Sequence, residues 1–236
     1  MHLLEVCGVE PGQRLLDVGA GDGNLALAAS RAGAGVVAGD LSPVLVERGR
    51  ERTRANGLEV EWDVADVEAL PYADESFDCV ASNFGAIYAD DPRRAVAELE
   101  RVLRPGGILA LTAWTASGIM GGVLRLAAER SGSARAGTRP ERWGRYETAM
   151  LHFSRFEAFE MLDATLRMQF DSQDEMLELF LRPPGPLAGV DAPGLREELL
   201  RLAGSHLDES EAKPALDVGY AVVIGRRQTP ARTPGQ

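Results

Sequence analysis

Asp17 stands directly ahead of three glycines, Gly19, Gly21 and Gly23, in the stretch LLDVGAGDGN. A strand that ends in such a turn can bend sharply, and a ligand can come close to its backbone because glycine has no Cβ. Two ligand classes compete for the turn. A dinucleotide site uses G-x-G-x-x-G, with pyrophosphate on the following helix N-terminus; Gly19 and Gly21 fit, but the third position holds Asn24. Asp17 would repel an anion there and suits a cation instead, such as a sulfonium compound carrying an α-amino group. A second acid, Asp40, closes GVVAGD. An acid at that point serves a ribose in either class, so it does not discriminate. No His/Cys/Asp cluster has metal-ligand spacing. Of His2, His152 and His206, only His152 is placed to act as a base, and a surface or packing role competes with that.

The elements that must position these residues alternate from Arg14 to Trp114. RLLDVGA reads as a strand, NLALAASRAGA as a helix, GVVAGD as a strand, and LSPVLVERGRERTRANG as a helix capped by Ser42. EVEWDVA and FDCVASN read as strands, DPRRAVAELERVLRPGG as a helix with Val96, Leu99, Val102 and Leu103 on one stripe, and ILALTAW as a fifth strand. Strands alternating with helices predict an α/β fold: a doubly wound, Rossmann-like, mostly parallel sheet with helices on both faces. Beyond Trp114 the texture turns Gly-, Ser- and Arg-rich. A helix over Val123–Arg130, a strand at ATLRMQF, helices at SQDEMLELFL and GLREELLRLAGSHL, and a last strand at ALDVGYAVVIGRR are expected there. The tail from 228 to 236 reads as disordered.

Composition narrows the partners. With 36 acids against 25 Lys plus Arg, the formal net charge is −11, which opposes nucleic acid or an anionic membrane as the partner. Cys7 and Cys79 form no disulfide framework, Cys79 in FDCVAS reads as core packing, and neither a membrane span nor a signal peptide is visible. The expectation is a cytoplasmic protein. High Ala, Gly and Arg usage is associated with bacterial genomes rich in G and C.

LLDVGAGDGN resembles the first motif of class I S-adenosylmethionine-dependent methyltransferases, in the branch related to ubiquinone and menaquinone biosynthesis. VVAGDLSP, VADVEALPYADESFDCV, SNFGAIYADDPRRAVAELERVLRPGG and ILALTAW follow in that family's order and spacing. The resemblance covers Leu3 to Trp114 strongly and continues weakly to Arg227, through RWG, PPGPL and GYAVVIGRR. It implies one domain over 1–227 built on a seven-stranded sheet with an antiparallel last strand. It also implies S-adenosylmethionine as cofactor, S-adenosylhomocysteine as product and a small-molecule acceptor, with residues 115–163 capping the acceptor site. A homodimer is compatible with this reading.

The resemblance assigns the ribose hydroxyls to Asp40, the adenine edge to Leu41, the adenine amino group to Asp66 and a ring nitrogen to the Val67 amide. Asp63 is a rival for Asp66, three residues early, and Ala65 stands where relatives carry glycine. The Gly19, Ala20, Gly21 and Gly23 backbone would line the cofactor. Asp17 would meet its amino group, or else serve as a structural acid bonded to the turn. Asn24 is either an N-cap or a carboxylate contact. Asn83 would lie under the sulfonium, offering a carbonyl or an amide. Tyr88, Trp143 and Tyr146 would line the acceptor pocket, with core packing as the competing role for each.

Methyl transfer asks mainly for near-attack geometry in a dry site, and a base is needed only if the nucleophile must lose a proton; His152 and Tyr88 are the candidates. Only MHLLEVCGVEPGQ precedes the first strand, where relatives carry a covering helix; two readings stand, a start at an internal Met or a site open until substrate or a partner closes it. A cofactor-binding protein with little methyl transfer is therefore the alternative function, ahead of an NAD-dependent oxidoreductase.

Overall fold

The computed structural model describes residues 2–130, 139–182, 186–190, 193–208 and 213–229. β1 (Arg14–Val18), β2 (Gly35–Asp40), β3 (Glu61–Val64), β4 (Phe77–Asn83) and β5 (Leu103–Trp114) are mutually parallel. β6 (Phe156–Gln169) and the two-residue β7 (Leu207–Asp208) both pair antiparallel with β8 (Ala215–Arg227), which also runs antiparallel to β5. The sheet order is β3-β2-β1-β4-β5-β8-β6, with β7 off this path. Eight strands stand where seven are expected; β7 is the addition. The order reverses between β1 and β4, and a parallel sheet offers its ligand crevice beyond the carboxyl ends at such a point.

α1 (His2–Cys7), α2 (Asn24–Arg31) and α3 (Pro43–Ala55) cover one face. Leu3, Cys7, Leu25 and Val46 meet Leu15, Val36, Ala38, Cys79 and Ala81 there. Side chains alternate along a strand, so Leu16, Val18, Val80, Leu109 and Leu111 point to the opposite face. They pack there against Val96, Leu99 and Val102 of α4 (Pro92–Val102) and Phe153 after α6 (Tyr146–His152). The caps follow the sequence: Ser42 accepts from the Leu45 N–H at 3.4 Å ahead of Pro43, and Asp91 accepts from the Arg93 and Arg94 amides. Cys7 and Cys79 are both buried as free thiols.

Three differences from the expected pattern matter. α1 is a helix, although six residues hold too little apolar periodicity to announce one, and it supplies cover on the cleft side. β6 begins at Phe156 rather than at Ala164, so residues 156–163 of the expected cap belong to the sheet. Glu157, Glu160 and Asp163 hide this strand in the sequence; as an edge strand it leaves most of its side chains in water, and a bulge lies between Glu157 and Glu160. Finally, α5 (Ile119–Arg130), α7 (Gln173–Leu181) and α8 (Leu195–Ala203) form a cluster of their own through Ile119, Val123, Met176, Phe180 and Leu199. That lobe packs on Leu216 and Val218 of β8. Tyr220 pairs with Trp114, the last residue of β5, so Leu216 and Val218 lie beyond the carboxyl end of β5. The lobe therefore stands over the ligand end of the sheet. The expected cap residues 131–138, Pro183–Gly185 of PPGPL and tail residues 230–236 lie outside the described residues.

Candidate active site

The turn after β1 is held in place before any ligand arrives. Gly19 adopts φ 64°, and a Cβ there would stand 2.6 Å from the Gly85 Cα, so the turn and the chain leaving β4 cross with no room for a side chain. Ser82 fastens the crossing: its hydroxyl donates to the Val18 carbonyl at 2.7 Å and accepts from the Ala86 N–H at 2.8 Å. Gly21 has φ 59° with open space where a Cβ would be, and its N–H donates to Asp40 Oδ2 at 2.8 Å. Ala20 donates to the Gly39 carbonyl at 3.0 Å. Gly23 is buried with φ 93°, and a Cβ there would reach 2.8 Å from Trp62. It therefore backs the turn against the core, and it also occupies the N-cap of α2. Asn24 is then the first helical residue and exposed, so its N-cap reading is overturned.

Two carboxylates flank this turn. Asp17 is 1% exposed. Its Oδ2 accepts from the Ala26 N–H of α2 at 3.0 Å, while Oδ1 has no partner among the described residues. Burial pushes its pKa up to about 7, opposed by the Ala26 hydrogen bond and reinforced by the nearby Asp40 charge. The structural-acid reading thus accounts for one oxygen, with a bond to the helix. Asp40 is half-buried at the end of β2, its second oxygen accepting from the Ser42 N–H at 2.9 Å. Those two amides fix the carboxylate and leave it further lone pairs. Beside it Leu41 is 68% exposed and Val64, its β3 neighbour across the ladder, is 54% exposed. Exposed apolar side chains next to a fixed carboxylate make a platform for a flat ring.

Asp66 is exposed and accepts from the Glu68 N–H at 2.9 Å, Val67 packs half-buried on the core, and Asp63 is exposed. This loop is tied to α4. Arg101 donates to the Leu70 and Tyr72 carbonyls and pairs with Glu98 and Asp74, and Glu98 accepts from the Leu70 N–H at 2.8 Å. On the other side of the turn Asn83 is exposed, and its Oδ1 accepts from the Thr112 hydroxyl at 3.0 Å. Ser82, Gly85, Arg101 and Thr112 are site supports that the sequence reading did not single out. Only long-range contacts give them their role, and a sequence carries no local signal for those.

The acceptor candidates separate. Tyr88 closes a short 3-10 helix, Ala86–Tyr88, and is 47% exposed, which removes the core reading for it. Trp143 is 2% exposed inside the core cluster, with its ring centroid 4.7 Å from that of His152. It is core, its ring turned inward under α6. His152 faces a groove between α4 and α6 with Arg93 and Arg155, away from Asp17 and Asp40; burial and then Arg93 push its pKa down. It is not placed to act as a base at the glycine turn. Tyr146 is exposed, edge-on to Phe159 at 5.7 Å. Among the described residues no three metal-ligating side chains cluster, and no helix is long and apolar enough to cross a membrane.

Residues 16–111 match the family described as Methyltransferase domain. This segment is a methyltransferase domain. Within this methyltransferase domain lie Asp17, Asp40, Asp66 and the glycines of the turn. The chain is 40% identical over 152 residues to an uncharacterized protein of Mycobacterium tuberculosis, covering 63% of this chain and 56% of that one. It is 38% identical over 109 residues to the demethylmenaquinone methyltransferase of Renibacterium salmoninarum, covering 46% and 44%. The chain thus spans about half the length of the curated relatives it matches. The YcgJ protein of Bacillus subtilis shares the fold along nearly the full length, with a TM-score of 0.72 at 20% identity over 96% of this chain and 97% of that one.

Proposed function

We propose that this protein transfers the methyl group of S-adenosylmethionine to a small-molecule acceptor at the carboxyl end of β4 and β5, in the cytoplasm. The observation that carries the proposal is the pairing of two unlike carboxylates on one glycine turn. Asp40 is held by two backbone amides beside exposed apolar surface, and Asp17 is buried with one unpartnered oxygen. A cofactor with a ribose diol at one end and an ammonium at the other fits that pair, whereas a pyrophosphate would meet Asp17. Asp40 would accept from the ribose hydroxyls, a charge-assisted contact. Leu41 and Val64 would pack on adenine, Asp66 and the Val67 amide would address its edge, and Asp17 Oδ1 would take the ammonium directly or through water.

When bound, the cofactor supplies a carbon made electrophilic by positive sulfur. The chain's share of the work is then alignment and exclusion of water. α1 and the α5-α7-α8 lobe border the carboxyl edge and are the elements suited to exclude solvent. His152 lies off the glycine turn, so an acceptor that needs no deprotonation suits this site.

The test is turnover. Formation of S-adenosylhomocysteine with any member of a broad panel of phenols, amines and carbon acids would support the proposal. Tight cofactor binding with no product across that panel would favour a cofactor-binding protein instead.

A further inference from the structure

A cavity of about 230 Å³ opens between α1, the first turn of α2 and the carboxyl ends of β4 and β5. Leu3, Leu25, Phe84, Leu166 and Tyr220 form most of its wall, and none of its lining residues carries a charge. In a chain with 36 acids and 25 Lys plus Arg, the described lining of this chamber is neutral. An ion entering it would lose its hydration and find no counter-charge, which is costly. At this size, below the roughly 300–1,000 Å³ of drug-sized pockets, it holds one or two rings.

Asn24, Asn83, Thr112 and Tyr220 bring polar groups to it, and the Thr112 hydroxyl orders those at the end of β4. Thr112 Oγ1 donates to Asn83 Oδ1 at 3.0 Å and accepts from the Phe84 N–H at 2.9 Å. The Asn83 carbonyl is thereby engaged, and its side-chain NH₂, without a bond among the described residues, is left as a donor. Phe84 adopts φ 61°, a left-handed conformation that a bulky residue resists. It is held by its amide bond to Thr112 and by its ring, stacked on Trp114 at 3.7 Å and edge-on to Tyr220 at 5.7 Å. The backbone is strained at the place where an aromatic wall and a fixed donor meet.

We propose that this chamber binds the methyl acceptor as an uncharged, ring-bearing molecule whose oxygen receives a hydrogen bond from the Asn83 NH₂, with Thr112 as the positioning residue that orients Asn83. The proposal rests on the methyl-transfer reading above and assigns Asn83 to the acceptor rather than to the cofactor.

Calorimetric titrations with 2-naphthol, 2-naphthoate and 2-naphthylmethylammonium test it, each with and without saturating S-adenosylhomocysteine. The expected result is 2-naphthol binding at least about tenfold more tightly than either ion. Asn83→Ala should weaken 2-naphthol about five- to tenfold, the loss of one hydrogen bond, and leave S-adenosylhomocysteine affinity within about twofold. Thr112→Val should do the same, and Thr112→Ser should restore binding, which a merely destabilised fold would not. Equal binding of the ions, an unchanged Asn83→Ala titration, or loss of S-adenosylhomocysteine instead of 2-naphthol would each overturn it. If S-adenosylhomocysteine is silent with the wild type while 2-naphthol binds through Asn83, the chamber stands and the methyl-transfer reading falls. If S-adenosylhomocysteine binds and the naphthyl probes do not discriminate, the chamber alone falls.

Discussion

At the scale of single residues, Asp17 sets function against stability. Its carboxyl is buried with one oxygen unpartnered, and its pKa stands at about 7 in the folded chain against 3.8 in the unfolded one. The folded state therefore holds the proton longer. The stability this group contributes is unaffected below about pH 4, falls as pH rises towards 7, and is flat above. Asp17→Asn removes that loss, so at pH 8 the ligand-free variant should melt at least about 3 °C above the wild type, and the gap should vanish at pH 4. The same substitution removes the anion that an ammonium needs. S-adenosylhomocysteine affinity should drop at least about tenfold, and in the wild type it should tighten between pH 6 and 8 as Asp17 ionises. A variant melting below the wild type at pH 8 would contradict this account. Gly19→Ala places a Cβ 2.6 Å from the Gly85 Cα at a positive φ. Both the melting temperature and cofactor binding should fall, since the turn cannot keep its path with that atom present.

Among the elements, α4 acts on the cofactor site without touching it. Arg101 sits on its last turn and grips the loop that follows Asp66 through two carbonyls and the Asp74 carboxylate, braced by Glu98 of the same helix. Arg101→Met keeps the aliphatic stem and loses the grip. It should cost about 1–3 kcal/mol in urea unfolding and weaken S-adenosylhomocysteine several-fold; unchanged affinity would show that the loop is rigid without α4. This arrangement also shows what the sequence could announce. β1 to β5 and α2 to α4 were legible because their apolar periods, Ser42 and Pro43 are local signals. Asp66 was named only through the family resemblance, whereas the placement of Asp17 and Asp40 at strand ends was legible too. Ser82 and Thr112 were not, because each works by bonding to a strand distant in sequence, Val18 for the first and Asn83 for the second. Nor was β6, whose edge position allows Glu157, Glu160 and Asp163 to interrupt the apolar alternation. Trp143 misled for a related reason: an aromatic in an Arg- and Gly-rich stretch suggests a pocket wall, yet α6 folds it into the core.

For the molecule as a whole, the proposed division of labour lies between a sheet edge that would hold the cofactor and a lobe above it. The α5-α7-α8 lobe has its own apolar cluster, so it can change without disturbing the glycine turn. Exchanging residues 173–203 for those of a relative with the same lobe should alter the ranking of acceptors while S-adenosylhomocysteine affinity stays within about twofold. Unchanged ranking would remove the lobe from acceptor choice. All of this depends on what the glycine turn binds. The measurement that tests it most directly is a calorimetric titration with S-adenosylhomocysteine, with NAD as control and Asp40→Ala as the site variant. Micromolar binding that Asp40→Ala abolishes, with NAD silent, is the predicted result. Heat from NAD, or S-adenosylhomocysteine binding that ignores Asp40, would contradict the account.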